Sequence, residues 1–202
     1  VLDSSDREKV LTAIEREEKE MLRRRLRKLT DAESESLTHE QRRSAYRLRH
    51  LLTKKRPTLE EQAEGKTEGA YKDRIVCMDI KGVSKSAAED VHMGVPDREA
   101  LRLMCAAANL EIETISWGDF KVAYCQGWEH KIGAEELAVL RDPETGELVL
   151  YFMDGEIYGK QPAGKRFKDK VEDKMEGNDF TECANIASVY VKENALGYIY
   201  VD

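Results

Sequence analysis

Apolar positions recur at helical spacing along the first part of the chain: Leu11, Ile14, Leu22, Leu26 and Leu29, with Met21 beside them and Glu18 interrupting the stripe. Ser5-Asp6-Arg7-Glu8 has the form of a capping box that opens this helix. Its acidic side chains fall early and its basic ones late, the order that suits the helix dipole, and Glu15–Lys19 and Glu20–Arg24 are i,i+4 pairs. Thr30 to Ser36 is a polar turn. Thr38 and Gln41 form a second capping box, and Leu37, Ala45, Leu48 and Leu52 give a second helix a narrow apolar seam that Pro57 ends. Two amphipathic helices joined by a short turn predict an antiparallel helical hairpin that needs other surface to finish burying its thin stripes. Thr58 to Glu61 is a third capping box, ahead of a short helix that Gly65 stops.

The pattern then changes. Residues 64–73, with two glycines and mixed charge, read as a linker. Arg74 to Ile80 is a compact apolar run that predicts a strand, and Lys81 to Gly94 a polar loop. Pro96-Asp97 starts a helix through Ala108; Glu111 to Trp117 alternates as a strand does; Phe120 to Cys125 fits either a strand or a helical turn. Leu137 to Arg141 and Leu148 to Met153, joined by Asp142-Pro143-Glu144-Thr145-Gly146, predict a hairpin, and Asp154-Gly155 a second turn into Glu156 to Tyr158, which makes a three-stranded meander. Lys165 to Glu176 reads as a charged helix closed by Gly177. Asp179 and Glu182 open a further helical stretch, with Ser188 to Lys192 helix or strand, and Tyr198 to Val201 is a short terminal strand. The expected fold is α+β: an N-terminal amphipathic helical hairpin (residues 1–63), a linker (64–73), and a small α+β domain (74–202) with a mainly antiparallel sheet.

Charge sharpens this picture. Of 202 residues 36% are charged, against roughly 25% in an average globular protein. Between Arg23 and Arg56 twelve basic residues face four acidic ones, in a chain of formal net charge −7. Arg23, Arg24, Arg25, Arg27, Lys28, Arg42, Arg43, Arg47 and Arg49 are therefore the candidate binding residues for a polyanion, RNA or DNA backbone, since each neutralised phosphate releases counterions. Arg outnumbers Lys here nine to three, which favours planar, multidentate contacts. Tyr46 is the one aromatic residue of the stretch, so backbone contact is expected and base stacking is not. An acidic protein surface, the chain's own included, fits the same cluster, as does a solvated helix face.

Other chemistry is thinly represented. Asp79-Ile80-Lys81 ends a strand with the D-x-K of metal-dependent nucleases, but the Pro96-Asp97 dipeptide follows it, the reverse of the order that class uses. Cys125 and His130 allow a thiol–imidazole pair. Neither phosphate-loop spacing nor a nucleophile elbow occurs, and no metal or cofactor is expected. Trp117, Phe120, Tyr124 and Trp128 make either a core corner or a binding patch, and Tyr190, Tyr198 and Tyr200 read as sheet packing. Cys77, Cys105, Cys125 and Cys183 lack metal-ligand spacing and sit among apolar neighbours, which predicts buried free thiols and a reducing, intracellular compartment. No apolar run is long enough to span a membrane. A start at Val1 instead of Met is the pattern of a processed product. The expected function is that of a non-catalytic accessory subunit of a larger complex whose basic arm contacts nucleic-acid backbone. A protein–protein scaffold is the alternative, and a nuclease-like enzyme using Asp79 and Lys81 the minor one.

Overall fold

A computed structural model describes residues 4–78, 98–110, 116, 118–120, 123–126, 136–184, 186–193 and 195–199. The chain divides into two compact units, Val1–Ala87 with Glu129–Gln161, and Ala88–Trp128 with Pro162–Asp202.

The first unit begins with α1 (Ser4–Arg24), which buries Val10, Ala13, Ile14 and Met21; of the expected stripe Leu22 is exposed, and Leu26 and Leu29 lie beyond the helix, Leu26 in a strand. The chain then turns sharply into β1 (Leu26–Lys28), α2 (Asp31–Ser36), α3 (His39–Arg43), β2 (Tyr46–His50), β3 (Thr53–Lys54), α4 (Leu59–Ala63), β4 (Tyr71–Lys72) and β5 (Ile75–Cys77). The hairpin β6 (Glu136–Arg141) and β7 (Leu148–Met153) completes it. Five of these strands make one sheet in the order β1-β7-β6-β2-β5. Three of its four ladders are antiparallel, but β2 runs parallel to β6, with Tyr46 level with Ala138 and Arg47 level with Val139. The sheet is therefore mixed, and the expected antiparallel pairing holds in part, in three of its four ladders.

The expected helical hairpin is corrected in its second half. Helix α3 does start at the Thr38 cap, with the Thr38 side chain accepting from the Gln41 amide and the Gln41 side chain from that of Thr38. It stops at Arg43, and Tyr46-Arg47-Leu48-Arg49-His50 is a strand. Those five residues alternate as a pleat requires, and β5 and β6 supply ladder partners on both sides, so tertiary pairing overrides the helical seam. The turn expected at Thr30 to Ser36 is itself helical, opened by a Thr30–Glu33 capping box. Tyr71–Lys72, in the stretch read as linker, pairs with Thr53–Lys54 as a second small sheet.

The β6–β7 hairpin forms as expected. Asp142 Oδ1 accepts from the Glu144 and Thr145 amides, at 2.9 and 2.7 Å, and Gly146 takes the left-handed exit at φ 74°. The third strand of the meander does not form. Glu156 and Ile157 are buried but irregular, with a turn beginning at Tyr158, and the free edge of β7 is taken by β1, with Leu26 level with Met153. Gly159, at φ 80°, backs onto β5 so closely that a Cβ would strike the Cys77 carbonyl.

In the second unit α5 (Arg98–Leu110) answers the expected helix, and Ala123–Gln126, which overlaps the end of the ambiguous segment, is a 3₁₀ turn; residues 121–122 lie outside the described residues. Helix α6 (Ala163–Glu176) buries Phe167, which meets Phe120 edge-on at 5.4 Å. The helical stretch expected from Asp179 is instead β8 (Thr181–Glu182), which leads to β9 (Val189–Lys192) and β10 (Ala195–Tyr198) in a three-stranded antiparallel sheet. All four cysteines are free thiols; Cys77 and Cys125 are buried, whereas Cys105 is exposed. No helix among the described residues is long and apolar enough to cross a membrane.

Candidate nucleic-acid interface on the five-stranded sheet

The pleat sorts the sheet into two faces. Residues level with one another in neighbouring strands share a face, and residues two apart on one strand share it too. Leu26, Met153, Ala138, Leu140, Leu48, Ile75 and Cys77 fall on one face and are all buried. The opposite, outer face carries Arg27 on β1, Leu150 and Phe152 on β7, Leu137, Val139 and Arg141 on β6, Arg47 and Arg49 on β2, and Val76 on β5. On it the arginines are exposed and the apolar residues half-buried.

Each basic residue singled out by the sequence has a distinct place. Arg23 and Arg24, at the end of α1, both reach Glu20 Oε1. Such i,i+3 and i,i+4 pairs contribute only about 0.3–0.5 kcal/mol, and here they are a local feature of the helix. Arg25 is 7% exposed, with a guanidinium nitrogen 3.8 Å from Asp154 Oδ1. Arg27 is gripped by both oxygens of Glu33 at 3.0 Å and lies over the Phe152 ring at 4.8 Å. Those bonds, then the Thr30 amide and hydroxyl, hold the Glu33 carboxyl down at about 2. Lys28 belongs to the inward parity of β1, level with Tyr151. Arg42 donates to the Ser34 carbonyl. Arg43 is exposed on α3, and Arg47 and Arg49 on β2.

Among the described residues no ion pair reaches the side chains of Arg43, Arg47 or Arg49. The structure adds a member that sequence reading missed. Val139 is level with Arg47, so continuing the register two residues sets Arg141 level with Arg49. Arg141 donates to the Gly146 carbonyl at the hairpin turn. Three arginines, Arg47, Arg49 and Arg141, thus share one patch of the outer face. Like charges placed opposite one another weaken a sheet, so the fold alone gives no reason for this grouping. The one sequence signal was the pleat of Leu137-Ala138-Val139-Leu140-Arg141, which puts Arg141 opposite in direction to the buried Ala138 and Leu140.

The inner face handles charge differently. His50 Nδ1 lies 2.5 Å from Asp73 Oδ2, and Nε2 lies 3.4 Å from Glu18 Oε1. Asp73 is 2% exposed. Glu17 Oε1 accepts from the Ile75 amide at 3.3 Å. Burial raises both the Glu17 and the Glu18 carboxyl above the usual 4.5. For His50 burial alone acts downward, but the Asp73 hydrogen bond and the charges of Asp73, Glu18 and Glu17 outweigh it, so the imidazole is raised above 6.5. Elsewhere in the unit, Lys160 is 5% exposed and meets Glu136 at 2.5 Å and Glu156 at 3.4 Å. Both groups join elements to one another. An open groove of about 420 Å³ at the start of α1, walled by Lys9, Arg16, Lys54, Glu68 and Tyr71, is of mixed charge.

Asp79, Lys81, Trp117, Trp128 and His130 lie outside the described residues, and so does any test of the D-x-K, thiol–imidazole and tryptophan readings. Among the described residues no group of three His, Cys, Asp or Glu side chains is arranged to hold a metal ion. No family model, no curated protein and no solved structure matches this chain.

Proposed function

We propose that the chain binds the phosphate backbone of nucleic acid through the outer face of its five-stranded sheet, as an accessory subunit of a larger assembly. The observation that supports this is the patch formed by Arg47, Arg49 and Arg141. Guanidinium groups that already hold a carboxylate have little left to offer a phosphate, and Arg23, Arg24 and Arg27 are in that position. Arg47 and Arg49 are free of ion pairs among the described residues, and Arg is the side chain best shaped for bidentate phosphate contact. Arg43, on the short helix that leads into β2, extends the basic surface at one end.

Fluorescence anisotropy with labelled RNA and DNA oligonucleotides, at 50 and 200 mM salt, tests it. Binding is expected to weaken steeply with salt, and Arg47→Ala/Arg49→Ala to lower the slope of log K against log salt by about 2. Arg23→Ala/Arg24→Ala is expected to change it little. No binding of any oligonucleotide at 50 mM salt would overturn the proposal and return the face to an acidic protein partner.

A further inference from the structure

We infer that the nucleic acid taken by this face is single-stranded, with one unpaired base laid on the Arg27–Phe152 pair; this rests on the backbone-binding function proposed above. Arg27 and Phe152 come together through the β1–β7 ladder, which sets them level on the outer face. The guanidinium lies 4.8 Å from the ring centroid. Both Glu33 oxygens hold it at 3.0 Å, and Glu33 is itself fixed by the Thr30 amide at 2.9 Å and hydroxyl at 3.0 Å. Glu33 therefore does two things to Arg27. It cancels the charge, which removes Arg27 from phosphate attraction, and it locks the guanidinium in one orientation. What remains is an ordered guanidinium held over the ring, and unpaired bases stack on guanidinium planes as they do on aromatic ones.

The geometry relates this surface to the arginine patch. Phe152 on β7 and Arg47 on β2 are separated by the single strand β6. At the usual strand spacing that is roughly 10 Å across the sheet. A base on the Arg27–Phe152 pair and a phosphate at Arg47 then belong to different nucleotides of one strand that crosses β7, β6 and β2. Half-exposed Leu137, Leu150 and Val139 line the path between them. A duplex fits this surface poorly. Its base faces are covered by their neighbours, only base edges are open in its grooves, and the outer face is a broad sheet, not an element that enters a groove.

The test uses the whole chain and three labelled probes: a single-stranded DNA 12-mer, the matching blunt duplex, and an abasic 12-mer with the same backbone. The intact strand is expected to bind at least fivefold more tightly than either other probe, the lower end of what one stacked base contributes. Phe152→Leu is expected to lose that margin and to leave duplex binding unchanged. Arg27→Lys keeps the charge but not the plane, and is expected to lose it too, so the outcome does not depend on one variant folding. Equal binding of the intact and abasic strands would overturn the inference. So would a margin that survives both Phe152→Leu and Arg27→Lys. If Arg47→Ala/Arg49→Ala weakens all three probes alike while those two variants change nothing, backbone binding stands and base stacking falls.

Discussion

The two faces of strand β2 carry charge in opposite ways. Outward, Arg47 and Arg49 stand exposed with no ion pair among the described residues and a third arginine beside them. Inward, His50 sits between Asp73 and Glu18, with Glu17 close by, under α1. Removing a charge from water is expensive, so inward charges persist only where other groups compensate them. An exposed arginine costs almost nothing, so an outward cluster persists without partners. Compensated buried charge is thus a signal of architecture, whereas the outward cluster is left open to an external partner. The raised carboxyl and imidazole groups of the inner cluster are internal ties of this unit, although perturbed groups often mark functional sites.

The largest expected effect that would break this contrast is on the inner side. His50→Leu leaves the buried Asp73 carboxylate without its partner, and removal of one member of a buried pair costs about 3–5 kcal/mol. Urea unfolding at neutral pH measures it, and Asp73→Asn on the same background is expected to restore part of the loss. A near-neutral His50→Leu would show that the inner cluster is not a charge tie. The same cluster gives stability a direction with pH. Glu17 and Glu18 have folded values raised above 4.5, so the fold favours their protonated forms and weakens as pH rises past 4.5. His50 has a folded value raised above 6.5, so its stabilisation is complete below 6.5 and is lost as pH climbs through that higher value. Both act in one sense: the thermal midpoint is expected to fall between pH 5 and pH 8, and less so in His50→Leu. A midpoint that rises over this window would contradict the assignment.

The smallest expected effect is the most diagnostic. Arg49→Glu replaces a like-charged neighbour of Arg141 by an opposite one, which is expected to stabilise the sheet by about 0.2–1 kcal/mol while weakening nucleic-acid binding. Stability and binding moving in opposite directions is the signature of a surface kept for its ligand. If both fall together, the outer arginines are structural.

What the sequence made legible was what neighbours in the chain decide. The β6–β7 hairpin follows from its Asp142-to-Gly146 turn, α6 from its apolar spacing and closing glycine, and α3 from its Thr38 cap. Strand β2 was not legible in that way. Ala45, Leu48 and Leu52 keep helical spacing while residues 46–50 alternate, and five residues cannot decide between two periods. The decision comes from Ala138 and Val139, far along the chain. The candidate site suffers the same limit. Arg47 and Arg49 stood out as charge, but Arg141 and Phe152 gain meaning only once registers place them beside Arg47 and Arg27.

That long-range pairing has a consequence during synthesis. Residue 46 waits for residue 138, so β2 emerges from a ribosome roughly 5–20 s before its parallel partner exists. For that interval one edge of β2 offers its amides and carbonyls to any other chain. Arg47 and Arg49 flank the apolar Leu48 with positive charge, and charge at such positions is how natural strands discourage pairing with copies of themselves. The residues proposed to grip a polyanion in the finished molecule would also keep nascent chains apart.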